Sequence, residues 1–342
     1  MSARIPMKRA LCSPAFALLL LAGPALGQTN TGTTIGQFML IEPGARVAAM
    51  GNAGVSMYEG LQSAYYNPAA IGRVTRFQAL FSHNAWVADI TYDYVALAIP
   101  LGDWGTSYAS VTALNSGDMD VRTVDHPLGT GERFNVSDVG LSLGFGRQVS
   151  QRFSAGAQVN LVDETIWHST ARTVTFNIGT LYRVSEGGLR IGSSLSNFGT
   201  RGAYDGRDLR FVYDNVPGQN GDNSTLPGIR FTDSFSVPVL FRVGLGLPWK
   251  IGREGRALFV ADAFHPNDNS ESVSLGAEYS LRDLLAVRAG YQGLFLTDSE
   301  VGLTLGAGLH GELDAYSYRV DYGWADQGRL GSSNRLTVGI GF

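Results

Sequence analysis

Arg335-Leu336-Thr337-Val338-Gly339-Ile340-Gly341-Phe342 puts Leu336, Val338, Ile340 and Phe342 on one face of a strand and Arg335, Thr337, Gly339 and Gly341 on the other. Such period-two alternation marks a strand that is apolar on one side and polar on the other. Placed at the end of the chain and finishing on an aromatic ring, it is expected to be the closing strand and insertion signal of a transmembrane barrel of the bacterial outer membrane.

The pattern extends backward through the sequence. Val301, Leu303, Leu305, Ala307 and Leu309 alternate with Gly302, Thr304, Gly306 and Gly308, and Val139, Leu141, Leu143 and Phe145 alternate with Gly140, Ser142, Gly144 and Gly146. Segments of about ten residues, the length of a tilted membrane strand, start near Phe77, Thr91, Thr106, Ser137, Phe153, Arg172, Gly188, Val237, Arg256, Glu271, Leu285, Val301, Leu313 and Ser333. The spacing predicts an all-β fold, a transmembrane antiparallel barrel of about fourteen strands. Connections after even-numbered strands read as tight turns, including Arg282-Asp283 and Gly311-Glu312, whereas residues 116–133 and 199–236 follow odd-numbered strands and are long. That parity separates a turn end from a loop end.

Composition agrees with this reading. Charged residues are 16% of 342, with 44 glycines and 11% aromatics, against about 25% charged in soluble domains. Residues 1–27 read as a signal peptide: Arg4, Lys8 and Arg9 precede the apolar run 15–23, and Ala25-Leu26-Gly27 supplies small residues before a cut at Gln28. Its loss removes the only cysteine, Cys12, and three positive charges, so the formal charge falls from −4 to −7. An acidic chain of this kind excludes a nucleic-acid partner.

Residues 28–76 do not alternate. Glu42-Pro43 ahead of GARVAAMG reads as a short helix ended by Gly51, and Asn67-Pro68-Ala69 reads as a turn entering another. This segment is expected to sit in the lumen as a plug or hatch, with residues 77–342 forming the barrel. Glu278, Arg288, Arg319 and Asp321 fall on inward positions, where opposite charges on neighbouring strands pair, and Arg46 is within reach of Glu278 or Asp321. Tyr182, Tyr279, Tyr291, Tyr316, Tyr322 and Trp324 fall outward near strand ends, as interfacial aromatics do.

No catalytic or metal constellation emerges. Gly140-Leu141-Ser142-Leu143-Gly144 fits GxSxG, but that motif needs a strand, a turn and a helix around an exposed serine. His83, His126, His168, His265 and His310 are scattered, without zinc-ligand spacing. The acidic loop 204–224, with Asp205, Asp208, Asp214, Asn215, Asn220, Asp222 and Asn223, lacks EF-hand spacing. A non-enzymatic protein with no metal and no cofactor is expected.

The stretch EPGARVAAMGNAGVSMYEGLQSAYYNPAAIGRV, carrying Gly44-Ala45-Arg46, Met50-Gly51 and Asn67-Pro68-Ala69, resembles the N-terminal signature of the PorV/PorQ family of outer-membrane proteins. The likeness continues through residues 83–101, 116–132, 189–199 and 265–279 to the last strand. It implies the fourteen-stranded barrel of the FadL superfamily. It also implies a role in type IX protein secretion, in handling or surface attachment of cargo, with secreted proteins and secretion components as partners alongside outer-membrane lipid. Two alternatives differ in kind: a FadL-like conduit for hydrophobic small molecules such as long-chain fatty acids, gated at Asn67-Pro68, and a structural barrel or adhesin. A conduit requires a mostly apolar pocket against the plug, a cargo carrier a wide outer mouth, and an adhesin neither.

Overall fold

A computed structural model describes residues 32–214, 218, 225–296 and 299–342, so the expected signal peptide and Asn215, Asn220, Asp222 and Asn223 lie outside the described residues. Fourteen antiparallel strands form the wall: β1 Gln78–Ala85, β2 Thr91–Pro100, β3 Thr106–Asn115, β4 Val136–Gln148, β5 Phe153–Ile166, β6 Ser169–Arg183, β7 Arg190–Gly199, β8 Leu240–Ile251, β9 Gly255–Pro266, β10 Ser272–Leu281, β11 Leu285–Leu294, β12 Leu303–Leu313, β13 Tyr316–Asp326 and β14 Ser332–Gly341. Each pairs with its sequence neighbour. The ring closes where β1 meets β14, with Phe81 opposite Val338 and His83 opposite Leu336. Closure leaves no unpaired edge in lipid, which is why a sheet can cross a membrane.

The two faces are inverted relative to a soluble protein. Leu143, Phe176, Ile178, Leu245, Phe259, Val287, Leu336 and Ile340 are exposed, whereas Asn160, Thr175, Asp262, Arg288, Asp321 and Thr337 are buried. Such a surface is stable only against hydrocarbon. Tyr182, Tyr279, Tyr291, Tyr316 and Tyr322 are also exposed. Phe77 and Phe342 stack at 4.6 Å at the turn end, beside Tyr316.

Several boundaries differ from the alternation. β8 begins at Leu240 rather than Val237 because Pro238 has no N–H for the ladder. β12 runs through Gly311 and Glu312, which face Tyr318 and Ser317, so the turn lies at Asp314-Ala315, with Asp314 at φ 53. Aspartate tolerates that left-handed conformation, whereas Gly311 stays in the strand with the Tyr318 ring lying over it. At the loop end Tyr204–Gly206 adds a short strand to the end of β6.

Residues 34–74 run inside this wall. Two 3₁₀ turns, Leu61–Tyr65 and Pro68–Arg73, and a single helical turn, Ala45–Ala48, are their only regular structure besides Gln37–Leu40. Val47, Met50, Ala53, Met57 and Tyr66 pack with Leu258 and Val260 of β9, and Leu61, Ala64 and Ile71 pack with Leu80, Tyr94, Ala96 and Tyr108. The core of the molecule therefore lies between an irregular segment and the inner surface of the sheet.

Candidate functional site

An irregular buried segment has backbone groups that no helix or strand satisfies, and burying them unpaired is costly. The wall supplies the partners. Thr337 Oγ1 accepts from the Ala45 amide at 2.9 Å, Thr304 Oγ1 from Gly51 at 2.9 Å, Asp262 Oδ2 from Val55 at 2.9 Å and Glu164 Oε1 from Gly36 at 2.7 Å. In the other direction Ser82 Oγ donates to Pro43 O at 2.5 Å, Ser194 Oγ to Tyr66 O at 2.8 Å and Thr106 Oγ1 to Val74 O at 2.8 Å. The polar face of the last strand is thus a binding surface for the inner segment. Arg335 joins it, donating from Nε to Glu42 O at 3.0 Å.

Glycines in the wall mark where the segment's backbone comes closest. A Cβ at Gly290 would stand 2.3 Å from Gly51 N, one at Gly276 2.3 Å from Met50 O, and one at Gly156 2.2 Å from Pro68 O. No other residue fits there.

Asn67 is fully buried and makes three bonds. Its Oδ1 accepts from Ala69 N at 3.0 Å, capping the turn that Pro68 begins, and its Nδ2 donates to Val55 O at 2.8 Å and Thr180 O at 2.9 Å. One side chain thus joins two parts of the segment to β6. Asn67→Ala removes the cap and the two bonds that tie Val55 O and Thr180 O together, an expected loss of about 2–4 kcal/mol. The change should be read as faster tryptic cleavage after Arg73 while the barrel itself resists; unchanged cleavage would count against this role.

The charged residues form one connected cluster. Arg46 grips Glu278 with Nε at 2.8 Å and Nη2 at 2.6 Å, and its Nη1 donates to Glu59 O at 2.8 Å. Glu278 Oε2 also accepts from Arg288 Nε at 2.6 Å, and Arg288 Nη1 lies 2.9 Å from Asp321 Oδ1. Arg288 and Asp321 are on β11 and β13, with β12 between them. They meet because Gly308 on β12 has no side chain: a Cβ there would stand 2.3 Å from Asp321 Oδ1. His310 Nε2, 3.2 Å from Asp321, was not foreseen as part of this group. Arg319 stays apart from the carboxylates; its Nη1 reaches Glu59 O at 3.4 Å. Buried charges persist when they alternate and are hydrogen-bonded, as Arg46, Glu278, Arg288 and Asp321 do.

Glu42, Glu59 and Arg190 were not singled out from the sequence. Burial pushes the Glu42 carboxyl up against the opposing pull of Arg335. Glu59 is paired with Arg190, and although burial would raise it, Arg190 and Arg46 together hold it below the usual carboxylate range. An arginine on the inward register of a strand, such as Arg190 or Arg335, was the available signal.

Two hollows flank the segment and the wall. A cavity of about 980 Å³ opens at the turn end, lined by Arg46, Glu59, Leu61, Leu80, Leu258 and Arg319 among others. A hollow of about 290 Å³ lies on the outward face near the loop end, lined by Phe241, Val243, Ala263, Val273 and Phe295. Ser142 is buried in mid-strand, unlike the exposed serine of a hydrolase elbow. Among the described residues, no group of three or more His, Cys, Asp or Glu is placed to hold a metal ion, and Asp208 is engaged by His168 at 3.1 Å.

No protein-family model matches the sequence, and no curated protein matches it. Solved structures do. A Pseudomonas aeruginosa FadL homologue aligns over 91% of this chain and 99% of its own, with TM-score 0.54 and 11% identity. The Pseudomonas putida toluene transporter TodX aligns over 88% and 98%, with TM-score 0.54 and 13% identity. The Ralstonia pickettii toluene transporter TbuX covers 87% and 97%, with TM-score 0.52 and 12% identity. At these identities the likeness establishes a shared barrel fold.

Proposed function

We propose that this chain is a non-enzymatic outer-membrane conduit for hydrophobic small molecules, with residues 34–74 as a releasable seal in its lumen. The observation that carries the reading is how the segment is held. It is fixed by individual side-chain bonds, one ion cluster and apolar packing against the inner wall, and it adds no strand to the barrel ladder, so its release would leave the hydrogen bonds between wall strands in place. Barrels of the same fold are described as toluene transporters, and the hollow beside Phe295 on the outward face is apolar enough to hold a hydrocarbon solute, whereas the cavity against the segment is lined by charges including Arg46, Glu59 and Arg319.

The secretion role implied by the PorV/PorQ resemblance asks for a wide outer mouth. At the loop end, Thr34 instead bridges to Ser236, and Tyr204 reaches Glu164 beneath. The large cavity lies at the opposite end, so the conduit reading stands ahead of cargo handling.

The test is uptake of radiolabelled toluene and oleate by cells lacking and then regaining the gene. Restored uptake of either, at least about tenfold above the deletion strain, is expected. Equal uptake in both strains, with altered surface proteins in the deletion strain, would favour the secretion role.

A further inference from the structure

At the turn end, three guanidinium groups surround one tyrosine of the inner segment. The Arg190 Cζ lies 4.3 Å from the Tyr58 ring centroid, Arg73 5.5 Å and Arg183 6.0 Å. Among the described residues, only Arg190 of the three has a carboxylate, that of Glu59. Arg73 donates to Ser154 Oγ at 2.8 Å and to Gln151 O at 3.3 Å, and Arg183 donates to the same Gln151 carbonyl at 2.5 Å. Neither pairs with a carboxylate among the described residues, and the Arg183 Nε is buried without a partner.

Three positive charges held around one ring repel one another. Burial and the neighbouring Arg183 and Arg190 charges push the Arg73 guanidinium below its ordinary range. Two of the three guanidinium groups are held only by neutral oxygens and one Arg183 N–H is unpaired, so the cluster has a deficit of negative charge. Planar guanidinium forks match the oxygens of phosphate and carboxylate, and several converging arginines are the usual means of holding such a group.

We infer that Arg73, Arg183 and Arg190 form a binding site for a phosphate-type oxyanion at the turn end of the barrel, seated beside Tyr58. Arg73 belongs to the inner segment, whereas Arg183 and Arg190 belong to β6 and β7. An oxyanion between them ties the segment to the wall and, on the reading of residues 34–74 as a releasable seal proposed above, its occupancy favours the sealed state. The occupant is either a soluble phosphate or the phosphate of a lipid headgroup at the rim.

Inorganic phosphate titrated calorimetrically into the detergent-solubilised chain, at ionic strength matched with chloride, tests the site. One phosphate per chain is expected, with affinity falling tenfold or more in Arg183→Gln. Arg201→Gln, which alters a loop-end arginine bonded to Ser234 O, should bind as the unaltered chain does. In nanodiscs, suppression of phosphate binding by phosphatidylglycerol would assign the site to a lipid headgroup, and undiminished binding would assign it to a soluble oxyanion; both support it. No binding in either medium, or equal binding by Arg183→Gln and the unaltered chain, overturns the proposal.

Discussion

Arg46→Glu should turn a silent barrel into a conducting one in planar lipid bilayers. The substitution deletes the bidentate grip on Glu278 and sets two carboxylates against each other where the Arg46 and Glu278 side chains are 5% and 7% exposed. Removing one partner of a buried pair costs about 3–5 kcal/mol, and the reversed charge adds repulsion. The wall loses little, because Arg288 still bridges Glu278 and Asp321. The cost therefore falls on the segment, which is expected to leave the lumen for a large share of the time. The doubly exchanged variant Arg46→Glu/Glu278→Arg should recover only part of the seal, since Glu278 also serves Arg288. Conductance no greater than that of the unaltered chain would show that other contacts suffice to hold the segment.

Gly290→Leu should have a comparable effect by steric means. A Cβ at this position would stand 2.3 Å from both Gly51 N and Met50 C, which are backbone atoms with no rotamer to yield. Overpacking costs about 1–3 kcal/mol even where side chains can adjust, and here only displacement of the segment relieves it. Gly339 is the control. It lies on the same inward register, in the last strand, but a Cβ there meets only Ala79 O at 3.7 Å. Gly339→Leu should fold and stay sealed, whereas Gly290→Leu should conduct; identical behaviour of the two would contradict the close approach.

The barrel was legible because its strands repeat one simple rule. Leu336, Val338 and Ile340 announce an apolar outer face, and the same alternation recurs in β4, β6, β12 and β13 without reference to any distant contact. Loop-length parity then supplied the two ends. The errors fell where a single residue overrides alternation: Pro238 delaying β8, and Asp314 rather than Gly311 making a turn.

The site was legible only in part. Arg46, Glu278, Arg288 and Asp321 could be named because a charge on an inward register has few alternatives to pairing. Their linkage across β12 could not, since it depends on the missing side chain of Gly308. Glu59 lies in a stretch with no periodicity to mark it, and Arg46, Arg190 and Arg319, far apart from one another in sequence, converge on it. Inward glycines such as Gly290, Gly276 and Gly156 lie where the segment's backbone comes closest to the wall. Which glycine faces which backbone atom depends on a path through the lumen that local pattern does not encode.

A reversible tether between segment and wall tests the central claim most directly. Ala45 N donates to Thr337 Oγ1, so the two residues lie side by side, and the Cβ separation a disulfide needs is about 3.5–4.5 Å. In cells carrying Ala45→Cys/Thr337→Cys, uptake of labelled hydrophobic solute should fall to the level of the deletion strain under oxidising conditions and return on reduction, with each single-cysteine chain indifferent to both. Undiminished uptake through a barrel shown to be fully cross-linked would mean that the segment need not move, and the account of a releasable seal would be wrong.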